Sequence, residues 1–169
     1  MTLLSILTYP DPFLKRQALP IDDIDGTLQA VIDNMAATMY GAPGVGLAAT
    51  QVGIGRRFLV YDIAPRDEER NLHVLINPKI VTSEGEIISE NEGCLSVPDF
   101  RADVKRAERI LVEGVNRDGK PLRFEAEGLL AVVIQHELDH LNGTLFIDHI
   151  SALKRQLYKR RVVKEMKQR

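Results

Sequence analysis

A chain of 169 residues, 44% hydrophobic and 27% charged, has enough apolar matter for one well-buried domain and calls for no second one. No run of about 18 apolar residues marks a membrane span, and with a net charge of −2 neither a membrane nor a DNA partner is expected. Met1 to Leu7 lacks the basic region and small-residue cleavage site of a signal peptide, so a cytoplasmic setting is expected.

Gly26 to Tyr40 places Leu28, Val31, Ile32, Met35 and Met39 at the spacing of an amphipathic helix, with Gly41 near its end. The segment Gly44-Val45-Gly46-Leu47-Ala48-Ala49-Thr50-Gln51 then contains Gly-x-Gly-x-x-Ala, the pattern of a dinucleotide fingerprint. It follows a helix instead of a strand, so no βαβ unit places a pyrophosphate, and a phosphate loop would need a lysine where Leu47 stands. Its glycines, Gly46 among them, read as a tight turn or as a backbone edge that must approach a substrate closely.

Strand-like runs follow at Arg57 to Ile63, Leu72 to Ile76 and Arg109 to Asn116; Arg117-Asp118-Gly119-Lys120 then turns toward Leu122 to Ala126. Arg66 to Arg70 reads as a solvated loop, and His73, alone in a strand pattern, as a structural residue. Between these runs lies Glu92-Gly93-Cys94-Leu95-Ser96-Val97-Pro98, which holds the only cysteine. One cysteine cannot close an intramolecular disulfide, and in a reducing compartment a thiolate ligand survives. A free cysteine is commonly a small buried hydrophobe, but Gly93 permits tight backbone approach here and Pro98 ends the segment rigidly.

Gly128 to Leu141 reads as a largely buried helix stopped by Asn142-Gly143. It carries Gln135-His136-Glu137-Leu138-Asp139-His140. At about 100° per residue His136 and His140 lie roughly 40° apart, so both imidazoles reach one ion. Glu137 lies about 60° around from His140, placed to touch an activated water without replacing it, which is the geometry of a general base. A helix this apolar must satisfy the polar groups it buries, at about 1 to 3 kcal/mol for each one left unpaired, and a metal site satisfies them together.

A third ligand is needed. Gly143 fits a long zinc-protease pattern, but Phe146 stands where its third histidine belongs and His149 comes too late. The only glutamate beyond the motif is Glu165, inside a basic terminus. Cys94 remains. Three protein ligands leave a further position for water, the mark of a catalytic site.

The three segments together resemble the bacterial peptide deformylases, whose signatures Gly-x-Gly-x-Ala-Ala-x-Gln, Glu-Gly-Cys-x-Ser and Gln-His-Glu-x-Asp-His occur at Gly44 to Gln51, Glu92 to Ser96 and Gln135 to His140. The likeness extends from Tyr9-Pro10-Asp11-Pro12 to Ser151-Ala152-Leu153-Lys154. It implies that Cys94, His136 and His140 hold one divalent ion, generally Fe2+ with Ni2+, Co2+ or Zn2+ tolerated. It makes Glu137 the acid/base, and Gln51 (side-chain amide) and Leu95 (backbone NH) the oxyanion donors. The implied substrate is the formyl group on the initiator methionine of new chains. An apolar pocket for that methionine is expected from Val45, Leu129, Val132 and Val133 by neighbourhood.

The expected architecture is α+β: a single domain over residues 1–169, antiparallel strands packed around the motif helix, with a basic terminal helix at 154–169. From Lys154 to Arg169 eight basic residues stand against one acidic, +7, leaving −9 for the rest. On a helical wheel Lys154, Arg160, Arg161, Lys164 and Lys167 share one arc, opposite Tyr158, Val162 and Met166. This is a docked helix with a basic outer face, to which a ribosome could bind, or a solvated fraying terminus. Two rival functions share parts of the pattern: a zincin-type metallopeptidase, with no role for Cys94, and a catalytically idle ribosome- or RNA-binding module using the basic terminus alone.

Overall fold

The computed structural model describes residues 1–169. Asp25 opens the first helix, α1 (Gly26–Gly41), by accepting from Leu28 NH at 2.9 Å. Strands β1 (Gly46–Ala48), β2 (Phe58–Tyr61), β3 (His73–Glu84), β4 (Ile87–Cys94), β5 (Val97–Arg106), β6 (Arg109–Val115) and β7 (Pro121–Glu127) follow, then helices α2 (Gly128–Leu141) and α3 (Ala152–Lys167). All strand pairs are antiparallel. Five strands form one sheet in the order β1-β2-β3-β6-β7, and β4 with β5 forms a separate two-stranded sheet. The α+β expectation holds.

β2 explains the layering. Its four residues are all buried because a helix covers each face. Phe58 and Val60 join Leu28, Ile32, Met35 and Met39 of α1 in one apolar cluster, while Leu59 and Tyr61 join Ala131, Ile134, Leu138 and Leu141 of α2 in another. A third cluster sets Tyr158 and Val162 of α3 against Phe146, Ile147, Val97 and Val104. The terminal segment is therefore a docked helix. Ser151 caps it by accepting from Lys154 NH, and Met166, assigned to the apolar stripe, remains 48% exposed.

The helices and the strands β2, β6 and β7 lie where their periodicity places them. β3 runs on to Glu84, far past Ile76, because its polar outer half is held by backbone pairing to β6 instead of by burial. Gly46–Ala48 pairs with Leu59 to Tyr61 as a strand, so the backbone-edge reading, not the turn, describes that segment. β4 and β5 carried no clear alternation and escape sequence reading; most of their polar residues are exposed or half-exposed, while Glu92, Val97, Val104 and Arg106 face inward. His73 stacks on Tyr61 at 5.0 Å, away from the motif. At the end of α2, Gly143 has φ +78 and any Cβ there would meet Lys15 O at 2.4 Å, so glycine is required twice over.

Candidate metal centre and substrate cleft

Packing α2 on the sheet through Ala131, Ile134 and Leu138 turns the motif face toward the β4–β5 hairpin. His136 is 9% exposed, Glu137 5% and His140 1%. Asp139 is only partly covered, at 24%. Cys94 arrives at the end of β4, opposite Val97 across the hairpin turn that contains Leu95. One donor atom each from Cys94, His136 and His140 lie within 4.8 Å of one another, and Cys94 Sγ is 3.2 Å from His140 Nε2. Neither His149 nor Glu165 joins this group.

A chain of charges behind the cluster sets the imidazole of His136. Its Nδ1 lies 2.6 Å from Glu92 Oε1. Glu92 accepts from Arg106, itself 5% exposed, whose second arm donates to Asp139 Oδ2 at 2.7 Å. The same Asp139 oxygen is 2.8 Å from His149 Nε2. With Nδ1 engaged, His136 presents Nε2 to the cavity. Sequence reading gave Glu92 no role and missed Arg106, which becomes visible only when β5 is laid beside β4.

Burial would raise the Glu92 carboxyl, but hydrogen bonds from His136 and Arg106 outweigh it and hold the group down at about 2. Burial would also lower His136, yet Cys94 and Glu92 keep it well above its ordinary value. His140 is pushed well below its ordinary value by burial and by the charges of His136 and Arg106. Burial lifts Glu137 to about 7. Its Oε2 and the Nδ1 of His140 are both buried with no protein partner.

Gln51 is clamped from both ends. Its Oε1 accepts from Ala48 NH at 2.9 Å, while Nε2 donates to Ser96 Oγ at 3.1 Å and points at Cys94 Sγ from 3.8 Å. That fixes the amide with its donor end toward the cluster. Thr50 Oγ1 donates to His140 O at 3.0 Å, tying the turn after β1 to α2.

A cavity of about 760 Å3 opens on this cluster. Val45, Gly46, Leu129, Val132 and Val133, the expected substrate residues, all line it, as do Gln51, Leu95, Cys94, His136 and Glu137. Val45 and Leu129 are the open rim at 48% and 60% exposed, whereas Val133 is mostly committed to the core beneath. His140 lies below the cavity floor and is not part of the lining. Phe100 and Arg101 of β5 also line it and carried no sequence signal.

The donor set fits a divalent transition ion: one soft sulfur and two imidazoles converge, and an acidic group beside them has an unpartnered oxygen. Burial, with the charges of His136 and Arg106, holds His140 in the neutral form, the form in which an imidazole binds a metal.

Comparison with known proteins agrees with this geometry. The family model described as polypeptide deformylase matches residues 3–156. A peptide deformylase of Desulfosudis oleivorans is 57% identical over 168 residues, covering 99% of this chain and 97% of its own. Another, of Thermodesulfovibrio yellowstonii, is 54% identical over 161 residues, covering 95% and 97%. The crystal structure of a peptide deformylase from Legionella pneumophila superposes with a TM-score of 0.90 at 45% identity, covering 98% of this chain and 96% of that one. The match spans the cysteine hairpin, the motif helix and the edge strand alike, and the chain belongs to the polypeptide deformylase family.

Proposed function

We propose that this protein hydrolyses the formyl group from the N-terminal formyl-methionine of new polypeptides, releasing formate, with Glu137 as the acid/base and Cys94, His136 and His140 as ligands of one divalent ion. The observation that carries the reading is the convergence of those three donors beside a buried, half-unpartnered glutamate at the base of one cavity. The ion would supply Lewis acidity, activating water near neutral pH and polarising the formyl oxygen. Glu137, raised to about 7 by burial, can take a proton from the attacking water and return it to the leaving amine. The Nε2 of Gln51 and the Leu95 NH are the donors for the developing oxyanion, Gln51 being already oriented by Ala48 and Ser96. Val45, Gly46, Leu129, Val132 and Val133 would seat the methionine side chain and backbone. Residues 1–169 act as one catalytic domain.

Ferrous iron is our assignment for the native ion, from the family resemblance; the sulfur and imidazole donors suit nickel, cobalt and zinc as well. Metal analysis of protein purified without oxygen, paired with turnover, tests it. An iron-loaded enzyme should decay in air faster than a nickel-loaded one, and equal decay would remove the assignment. The ribosome is the partner we assign to α3, whose Lys159, Arg160, Lys164 and Lys167 share one outward groove. A cytoplasmic location follows from that partner and from a thiolate that must stay reduced.

Formate release from a formyl-Met peptide, against the unformylated peptide as control, is the direct test. Cleavage of internal peptide bonds without formate would favour the metallopeptidase reading, and no turnover with ribosome binding intact would favour the idle module.

A further inference from the structure

We propose that the groove between β5 and α3 is a second substrate subsite, continuous with the catalytic cleft, which holds downstream residues of the new chain and favours acidic side chains there. The inference rests on the deformylase reading. Phe100 and Arg101 line both the cleft and this groove of about 310 Å3, so a peptide leaving the cleft over β5 meets the groove next.

The groove is built to take such a chain. Leu157, 56% exposed, and the ring of Phe100 give it an apolar floor. Arg101, Lys154 and Arg161 line it, and no acidic residue does. Arg161 is held in place: one guanidinium nitrogen donates to Asp99 O at 3.0 Å and the group lies over the Tyr158 ring at 5.2 Å. Its pairing with Glu165, at 3.6 Å and half exposed on both sides, leaves its charge available. Asp99 lines the cleft side, beside Phe100 and Arg101. Of the other basic residues of α3, Lys159, Arg160, Lys164 and Lys167 line the separate outward groove, so peptide and ribosome would use different faces of α3.

The test compares kcat/KM for formyl-Met peptides of about ten residues, roughly 33 Å extended, whose distal halves carry either Glu or Lys, with a short formyl-Met substrate as reference. At low salt the Glu peptide should be favoured about threefold to twentyfold over the Lys peptide, and the preference should fade as salt rises. The Lys154→Glu/Leu157→Gln variant, altered at exposed positions, should collapse that ratio. Equal kcat/KM for the two long peptides on the unaltered enzyme, or a ratio unchanged in a variant with normal helix content, would overturn the subsite. Absence of formate from the short substrate would instead overturn the underlying deformylase reading.

Discussion

Gly46 and Glu137 are packed so closely that a Cβ on Gly46 would stand 2.8 Å from Glu137 Oε1 and 2.9 Å from its Cγ. The edge strand and the motif helix thus meet at the proposed acid/base, where β1 can approach only because it has no side chain at this position. Gly46→Ala should leave the melting temperature within a few degrees while lowering kcat by about 10²-fold, the scale of a misplacement of about 1 Å in a reacting group. Formate-release kinetics beside a thermal melt would decide it; an unaltered kcat would mean that the glutamate has room to move.

Glu137 and Cys94 should separate chemistry from metal retention. Glu137→Ala removes the proposed base and no ligand, so bound metal should persist while turnover falls by about 10² to 10⁴. Cys94→Ala removes the sulfur donor, so metal should be lost on dialysis. Metal content and turnover measured on the same samples test both, and near-normal turnover of the metal-loaded Glu137→Ala enzyme would falsify the assignment.

Arg106→Ala should destabilise the fold by about 3 to 5 kcal/mol, because it strands the buried carboxylate of Glu92. Glu92→Gln keeps the shape and loses the charge that sets His136, so metal affinity should drop by about 10- to 100-fold with a smaller loss of stability. Metal titration and urea unfolding of both variants provide the check. Equal metal affinity in the Glu92→Gln and unaltered proteins would show that His136 is oriented by packing alone.

Asp62 supplies a pH dependence outside the Cys94, His136 and His140 cluster. Burial would raise its carboxyl, but the Tyr40 hydroxyl at 2.6 Å and the NH groups of Ala64 and Asn71 hold it below its ordinary value of 3.8. The unfolded chain therefore binds the proton more readily, so this stabilisation is present above pH 3.8 and is lost as pH falls through the lower, folded value. Asp62→Asn should cost about 1 to 3 kcal/mol near neutral pH, with the deficit shrinking in acid. Unfolding curves at both pH values measure it; a deficit independent of pH would exclude the charge as its source.

Removal of α3 should weaken the whole protein, since Tyr158 and Val162 are 3% and 8% exposed and each buried side chain contributes about 1.5 to 3 kcal/mol. Replacing Lys159, Arg160, Lys164 and Lys167 together by alanine should instead spare the fold and flatten the salt dependence of ribosome binding by about 3 in log–log slope. Thermal melts and binding at graded salt distinguish the two. A slope equal to that of the unaltered protein would leave the ribosome without a site on this face.

Residues four apart on a helix share a face whatever surrounds them, so His136, Glu137 and His140 could be read from the chain alone, and so could α1, β2, β6 and β7 from their apolar periodicity. Gln51 and Leu95 were legible only as members of motifs, and Cys94 only as the ligand left once His149 and Glu165 were set aside, since nothing local brings Gln51, Cys94 and His136, 43 and 42 positions apart, into contact. Tertiary pairing decided the rest. Arg106 reaches Glu92 because β4 and β5 are antiparallel neighbours, a relation carried by backbone hydrogen bonds that leave no periodic trace in exposed, polar strands. Only the docking of α3 through Tyr158 and Val162 divides one basic arc into a face toward the groove beside β5, with Lys154 and Arg161, and a face toward solvent, with Arg160, Lys164 and Lys167. A helical wheel gives angles between side chains; what each angle faces depends on the partner that buries the opposite side.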